Sequence, residues 1–142
     1  VLIITLEGVR ARLGAKVMNV NEILLKKNID DEMLSFIKSN VNTFGKLDII
    51  RFFGLNSSSR VDVETLSEVT NSKIEETEKS VKELAKAHII EEINIEGKKL
   101  YELSPNKTSK ELITSFISYY SKSSIRMLIV GYLLNKSIEE KI

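Results

Sequence analysis

A chain of 142 residues with 42% hydrophobic content is long enough to bury a proper core and close to the usual size of one domain. Its 21 basic and 20 acidic side chains leave a net charge of +1, so any nucleic-acid footprint has to be local. The absence of cysteine and the presence of a single histidine, His88, exclude disulfide frameworks, thiolate zinc sites, cysteine nucleophiles and His-pair metal sites. This composition is compatible with a reducing cytoplasm, which is the expected location, and no cofactor is expected.

Charge divides the chain into three segments. Residues 1–42 carry six Lys/Arg and five Asp/Glu, residues 43–105 carry nine and twelve, and residues 106–142 carry six and three. In the first segment Val1 to Leu6 and Val9 to Val17 flank Glu7-Gly8, and Val9-Arg10-Ala11-Arg12-Leu13 alternates, which reads as a β-hairpin. The alternative is a functional chain that begins at Met18. The opening apolar run is too short for a signal-peptide core. Asn21 is a candidate N-cap before Ile23, Leu24 and Leu25, and Asp30-Asp31 precede a helix over about 30–39 carrying Met33, Leu34, Phe36 and Ile37.

In the second segment Phe44, Leu47, Ile50, Phe52 and Phe53 recur at helical spacing, closed by Gly54-Leu55-Asn56. A loop, Asn56 to Ser59, leads to a short strand at Arg60-Val61. Asp62 then caps a two-turn helix with Val63, Leu66 and Val69 on one face. After Thr70-Asn71, Ser72 with Glu75 three residues on forms a capping box. The helix that starts there has a buried stripe of Ile74, Thr77, Val81, Leu84 and Ala85 and stops near His88. The period then changes to two: Ile93 and Ile95, a Glu96-Gly97 turn, and Leu100 and Leu103 make a hairpin that Pro105 closes.

In the third segment Thr108 caps a helix with Leu112, Ile113, Phe116 and Ile117. Ser121 to Ser124 break it before a second helix over about 125–136. The apolar run Ile125 to Leu134 contains Arg126 and is half the roughly 20 residues that span a bilayer, so no membrane role is expected.

The order helix, short strand, helix, tight turn, helix, hairpin is that of a winged helix-turn-helix. Residues 43–105 resemble winged-helix transcriptional regulators of the ArsR and MarR type. The matching phrases are Glu83-Leu84-Ala85-Lys86-Ala87-His88-Ile89-Ile90, Glu96-Gly97-Lys98-Lys99-Leu100-Tyr101-Glu102-Leu103-Ser104, and Leu66-Ser67-Glu68-Val69-Thr70. His88 stands where the family has a glycine, so a left-handed backbone there must be carried by a bulkier residue.

The expected fold is therefore mainly α with a small β-hairpin: a winged helix-turn-helix at 43–105, an N-terminal hairpin and helix extension at 1–42, and C-terminal helices at 106–142. The resemblance implies a sequence-specific regulator of transcription that binds double-stranded DNA, with a homodimer formed through the C-terminal helices. Ser72, Lys73, Glu76, Lys79 and Ser80 would face base edges or backbone, and Lys98 and Lys99 on the wing would contact phosphate. Lys82 and Lys86 read as solubilising, and Tyr101 as a packing residue on the wing strand.

A second reading stays open, in which the lysines are solvated partners of neighbouring glutamates and the winged helix is a protein-interaction module in a larger assembly. Glu75, Glu76 and Glu78 favour it, since carboxylates beside a phosphodiester backbone repel it. No residue pattern supports an enzyme: His88 has no nucleophile or second ligand at motif spacing, and no glycine-rich phosphate loop occurs.

Overall fold

The computed structural model describes residues 19–140. Seven helices and one antiparallel hairpin follow in order: α1 (Val20–Asn28), α2 (Asp31–Asn40), α3 (Phe44–Leu55), α4 (Val63–Thr70), α5 (Ile74–Lys86), β1 (Ile90–Ile95), β2 (Lys98–Leu103), α6 (Lys107–Tyr120) and α7 (Ser123–Glu140). The hairpin expected before Met18 lies outside the described residues.

Short polar side chains satisfy the orphan amides at most helix starts. Asp30 accepts from the Met33 amide at 2.7 Å, Thr43 from Lys46 at 3.1 Å and Asp62 from Thr65 at 2.8 Å. Two expected caps move by two residues. Asn19, not Asn21, caps α1, and Asn106, not Thr108, caps α6 by accepting from the Ser109 amide at 3.0 Å. In each case two suitable polar residues lie close together, and the earlier one takes the cap.

The capping box expected at Ser72 and Glu75 is not formed. Asn71 adopts the left-handed conformation, φ 52°, and closes α4 with its amide on the Glu68 carbonyl, while the Ser72 amide bonds the Ser67 carbonyl at 3.0 Å. The Ser67 hydroxyl donates to the Ser72 carbonyl at 2.6 Å, and Ser72 turns its own hydroxyl back toward the Thr70 carbonyl. Ser72 thus finishes α4, and α5 begins one residue later, with Lys73 at the N-cap and no side-chain cap.

One continuous hydrophobic cluster draws on all three segments of the chain. Helix α3 contributes Leu47, Ile49, Ile50 and Phe53, α4 contributes Leu66, and α5 contributes Val81 and Leu84. Ile49 belongs to this core although the helical stripe read from the sequence omitted it. Phe44, Val69 and Ile74, which the periodicity placed inside, are exposed, because each sits at a helix end beyond the reach of a neighbour. On the other side of α3, Phe116 of α6 meets Phe36 of α2 at 6.0 Å between ring centroids. Tyr120 lies under the guanidiniums of Arg51 and Arg126, at 4.9 and 6.0 Å.

Helix α7 packs along α1. The Asn19 side chain donates to the Tyr132 carbonyl at 3.2 Å and accepts from Asn135 at 3.1 Å. Ile125, Ile129, Tyr132 and Leu133 are buried there, so most of the apolar surface that the sequence assigned to a dimer interface is consumed within the chain. What stays exposed is Val20 and Leu24 on α1 with Met127, Leu134 and Ile138 on α7.

β1 and β2 pair antiparallel from Ile90 opposite Leu103 to Ile95 opposite Lys98. Both turn residues have positive φ, 53° at Glu96 and 80° at Gly97, as a two-residue hairpin of matching twist requires. An isolated bridge between Val61 and Tyr101 joins the base of the hairpin to the segment before α4, with amide–carbonyl distances of 3.0 and 2.7 Å. His88 has φ 61°, the left-handed geometry expected where it stands in place of a glycine.

Two substitutions test this packing. A Cβ at Gly54 would lie 2.5 Å from Ile117 Cγ1 and 3.2 Å from Ile113 Cγ2. Gly54→Ala should therefore lower stability by about 1–2 kcal/mol in urea denaturation, overpacking outweighing the roughly 1 kcal/mol that alanine gains in a helix. His88→Gly should raise stability by about 0.5–1 kcal/mol in the same assay, because glycine carries no left-handed penalty.

Candidate nucleic-acid interface

The burial pattern of α5 follows from its periodicity. Thr77, Ser80, Val81 and Leu84 point into the molecule, which turns Glu75, Lys79, Lys82 and Lys86 to water along the opposite side. Lys79, Lys82 and Lys86 are spaced i, i+3 and i+7 and form a basic stripe. Lys73 is exposed at the N-cap, apart from this stripe. The sequence reading set Lys82 and Lys86 aside as solubilising residues, although their helical spacing from Lys79 was the signal that joined them.

The seven expected contact residues divide. Lys73, Glu76 and Lys79 are exposed on α5, and Lys98 and Lys99 are exposed at the start of β2. Ser72 is half-buried in the turn. Ser80 is a correction: it is only 9% exposed and faces α3, where the missing side chain of Gly45 admits it, 3.1 Å from where a Cβ would stand. It belongs to the inner side of α5 and cannot reach an outer ligand.

The cations of the hairpin are paired within the chain. Lys98 Nζ lies 3.1 Å from Asp62 Oδ2, Lys99 Nζ 3.5 Å from Glu92 Oε1, and Arg60 Nε 2.7 Å from Glu102 Oε2. The side chains of Lys98 and Lys99 remain 66% and 59% exposed, so these are surface pairs of small net worth. Hydrogen bonds from the Thr65 side chain and amide, followed by one from Lys98, hold the Asp62 carboxyl at about 2, below its ordinary 3.8. Asp62 therefore both caps α4 and tethers the hairpin lysine.

Tyr101 is buried, and its hydroxyl donates to Glu92 at 3.1 Å. Burial first, then the hydrogen bond to Glu92 and the charges of Glu92 and Glu78, push it up to about 12. It is a packing residue of the hairpin, and α5 packs beside β1. His88 is exposed. Among the described residues no group of three or more His, Cys, Asp or Glu is arranged to hold a metal ion, and no helix is long and apolar enough to cross a membrane.

The depressed Asp62 value gives a pH dependence with a definite sign. A carboxyl whose folded value lies below its unfolded one contributes stability above about pH 4, and that contribution is lost as pH falls toward 2. Asp62→Ala should cost about 1 kcal/mol at pH 7 by loss of the cap, measured by urea denaturation, and the difference from the unsubstituted chain should vanish near pH 2. No protein-family model, no curated protein and no solved structure matches this chain.

Proposed function

We propose that residues 43–105 act as a winged helix-turn-helix that binds double-stranded DNA in regulating transcription, with α5 as the recognition helix and the β1–β2 hairpin as the wing. The supporting order is α3, the bridge at Val61, α4, the left-handed turn at Asn71, α5 and the hairpin. The observation that carries the reading is the stripe Lys79, Lys82 and Lys86 along the side of α5 that faces water.

An exposed helix after a tight turn is the shape that enters a major groove, and lysines along its outer side meet the phosphates that flank it. Lys98 and Lys99 extend the cationic surface, since their surface pairs with Asp62 and Glu92 exchange for phosphate at little cost. Glu75 and Glu76 near the start of the helix accept from cytosine amino groups but repel backbone phosphates. Affinity in this reading is modest and steeply dependent on salt. A homodimer would use the exposed apolar side chains of α1 and α7, chiefly Leu24, Met127 and Leu134.

One observation favours a protein-interaction module instead. Arg60, Lys98 and Lys99 are each neutralised by a carboxylate of the same chain, and residues 43–105 carry more acidic than basic groups.

Fluorescence anisotropy with a random duplex at low salt separates the two. DNA binding predicts saturable association that weakens as salt rises. Lys98→Glu combined with Lys99→Glu should weaken it at least tenfold, and Lys82→Ala should lower the salt slope by about 1. No association at low salt, or an undiminished affinity in the double variant, would remove the DNA reading or its wing. A sedimentation mass equal to one chain would remove the homodimer.

A further inference from the structure

A cavity of about 370 Å³ lies where the start of α3, the inner flank of α5 and the end of α7 meet. Its size falls in the range of small-molecule sites. It has a buried ammonium in its wall: Lys46 is only 6% exposed, with Nζ 2.6 Å from Glu83 Oε2. Glu83 stays ionised, its carboxyl lowered chiefly by the hydrogen bond from Lys46.

Ser80, nine-tenths buried on α5, lines the cavity, and its hydroxyl makes no hydrogen bond with any described residue. The hydroxyl is open to the cavity, so a ligand seated there can take it as a partner. Asn42 also contributes to the lining.

The charges around the cavity select the ligand. Lys46, Lys79 and Lys136 outnumber Glu76 and Glu83, and the first turn of α3 borders the cavity at Thr43, Gly45 and Lys46 with the positive end of its dipole. The missing side chain at Gly45 keeps that turn open toward Ser80. An oxyanion satisfies the ammoniums, the Ser80 hydroxyl and the positive end of the helix dipole. We infer that this cavity binds a small oxyanion, a phosphate or carboxylate metabolite. Because Glu76 and Lys79 border both the cavity and the outer side of α5, an occupied site also weakens DNA binding. That coupling rests on the DNA reading; the site does not.

The test titrates the full chain, free of DNA and at low salt, with ribose 5-phosphate, with citrate and with neutral ribose, following amide signals by two-dimensional NMR. One or both anions should give saturable shifts at Gly45, Lys46 and Ser80, with the tighter one identifying the head group, and ribose should give none. Ser80→Ala and Lys46→Met should each weaken binding at least tenfold with the circular-dichroism spectrum unchanged. If Lys46→Met fails to fold, Lys136→Gln at the rim should weaken binding at least threefold. Absence of saturable shifts, shifts confined to Lys98 and Lys99, or equal affinity in the variants would overturn the site. Saturating anion should then lower duplex affinity at least threefold. An unchanged duplex affinity overturns the coupling and leaves the site standing, and a chain that binds anion but no duplex overturns the DNA reading alone.

Discussion

With no side chain at Gly54, Ile113 and Ile117 of α6 rest directly on the backbone of α3, and the rest of the molecule is arranged around that contact. α3 is apolar on nearly every side: Leu47, Ile49, Ile50 and Phe53 are all buried. A helix of that kind has to be enclosed. Helix α6 takes one side at the glycine, α2 joins it through Phe36 and Phe116, and α4 and α5 take the other through Leu66, Val81 and Leu84. Since α5 spends one side on α3, its lysine stripe is turned outward, and the hairpin that follows is held beside it by the bridge at Val61.

Electrostatics on this surface is organised in neutral pairs rather than in one basic field. Each hairpin cation faces a carboxylate a few ångströms away, and α5 interleaves lysine with glutamate. Such an arrangement lowers the long-range attraction for any polyanion. The inner flank of α5 differs: Lys46 and Glu83 pair in a place that is shielded on the lysine side, and Ser80 makes no hydrogen bond with any described residue. One helix thus presents a solvated stripe on one side and a sheltered polar wall on the other.

Much of this was legible in residue order. The helical periods, the Glu96-Gly97 turn, the cap at Asp62 and the short strand at Val61 follow from local chemistry, which acts over a few residues, whereas the positive φ at His88 was implied only by the resemblance that put a glycine there. Three caps were misplaced: Asn21, Thr108 and Ser72 fit the local rules, yet Asn19 and Asn106 cap α1 and α6, and Ser72 finishes α4 while Lys73 takes the N-cap of α5. Val69 and Ile74 fit the apolar period of their helices and yet face water, because periodicity marks a side of a helix without stating how far its neighbour extends.

By itself the sequence determined the succession of elements and which residues carry charge, because hydrophobic period, turn geometry and capping are properties of adjacent residues. Only the tertiary structure decided which charges are free to act. Lys46 finds Glu83 across two helices, Lys98 finds Asp62 across the hairpin, and Ser80 is drawn inward by a glycine on α3. Each of these depends on elements far apart in the chain being brought within a few ångströms. The apolar surface of α7 was likewise assigned to its own chain by contact with α1, since burial is a property of what lies opposite and not of the residue buried.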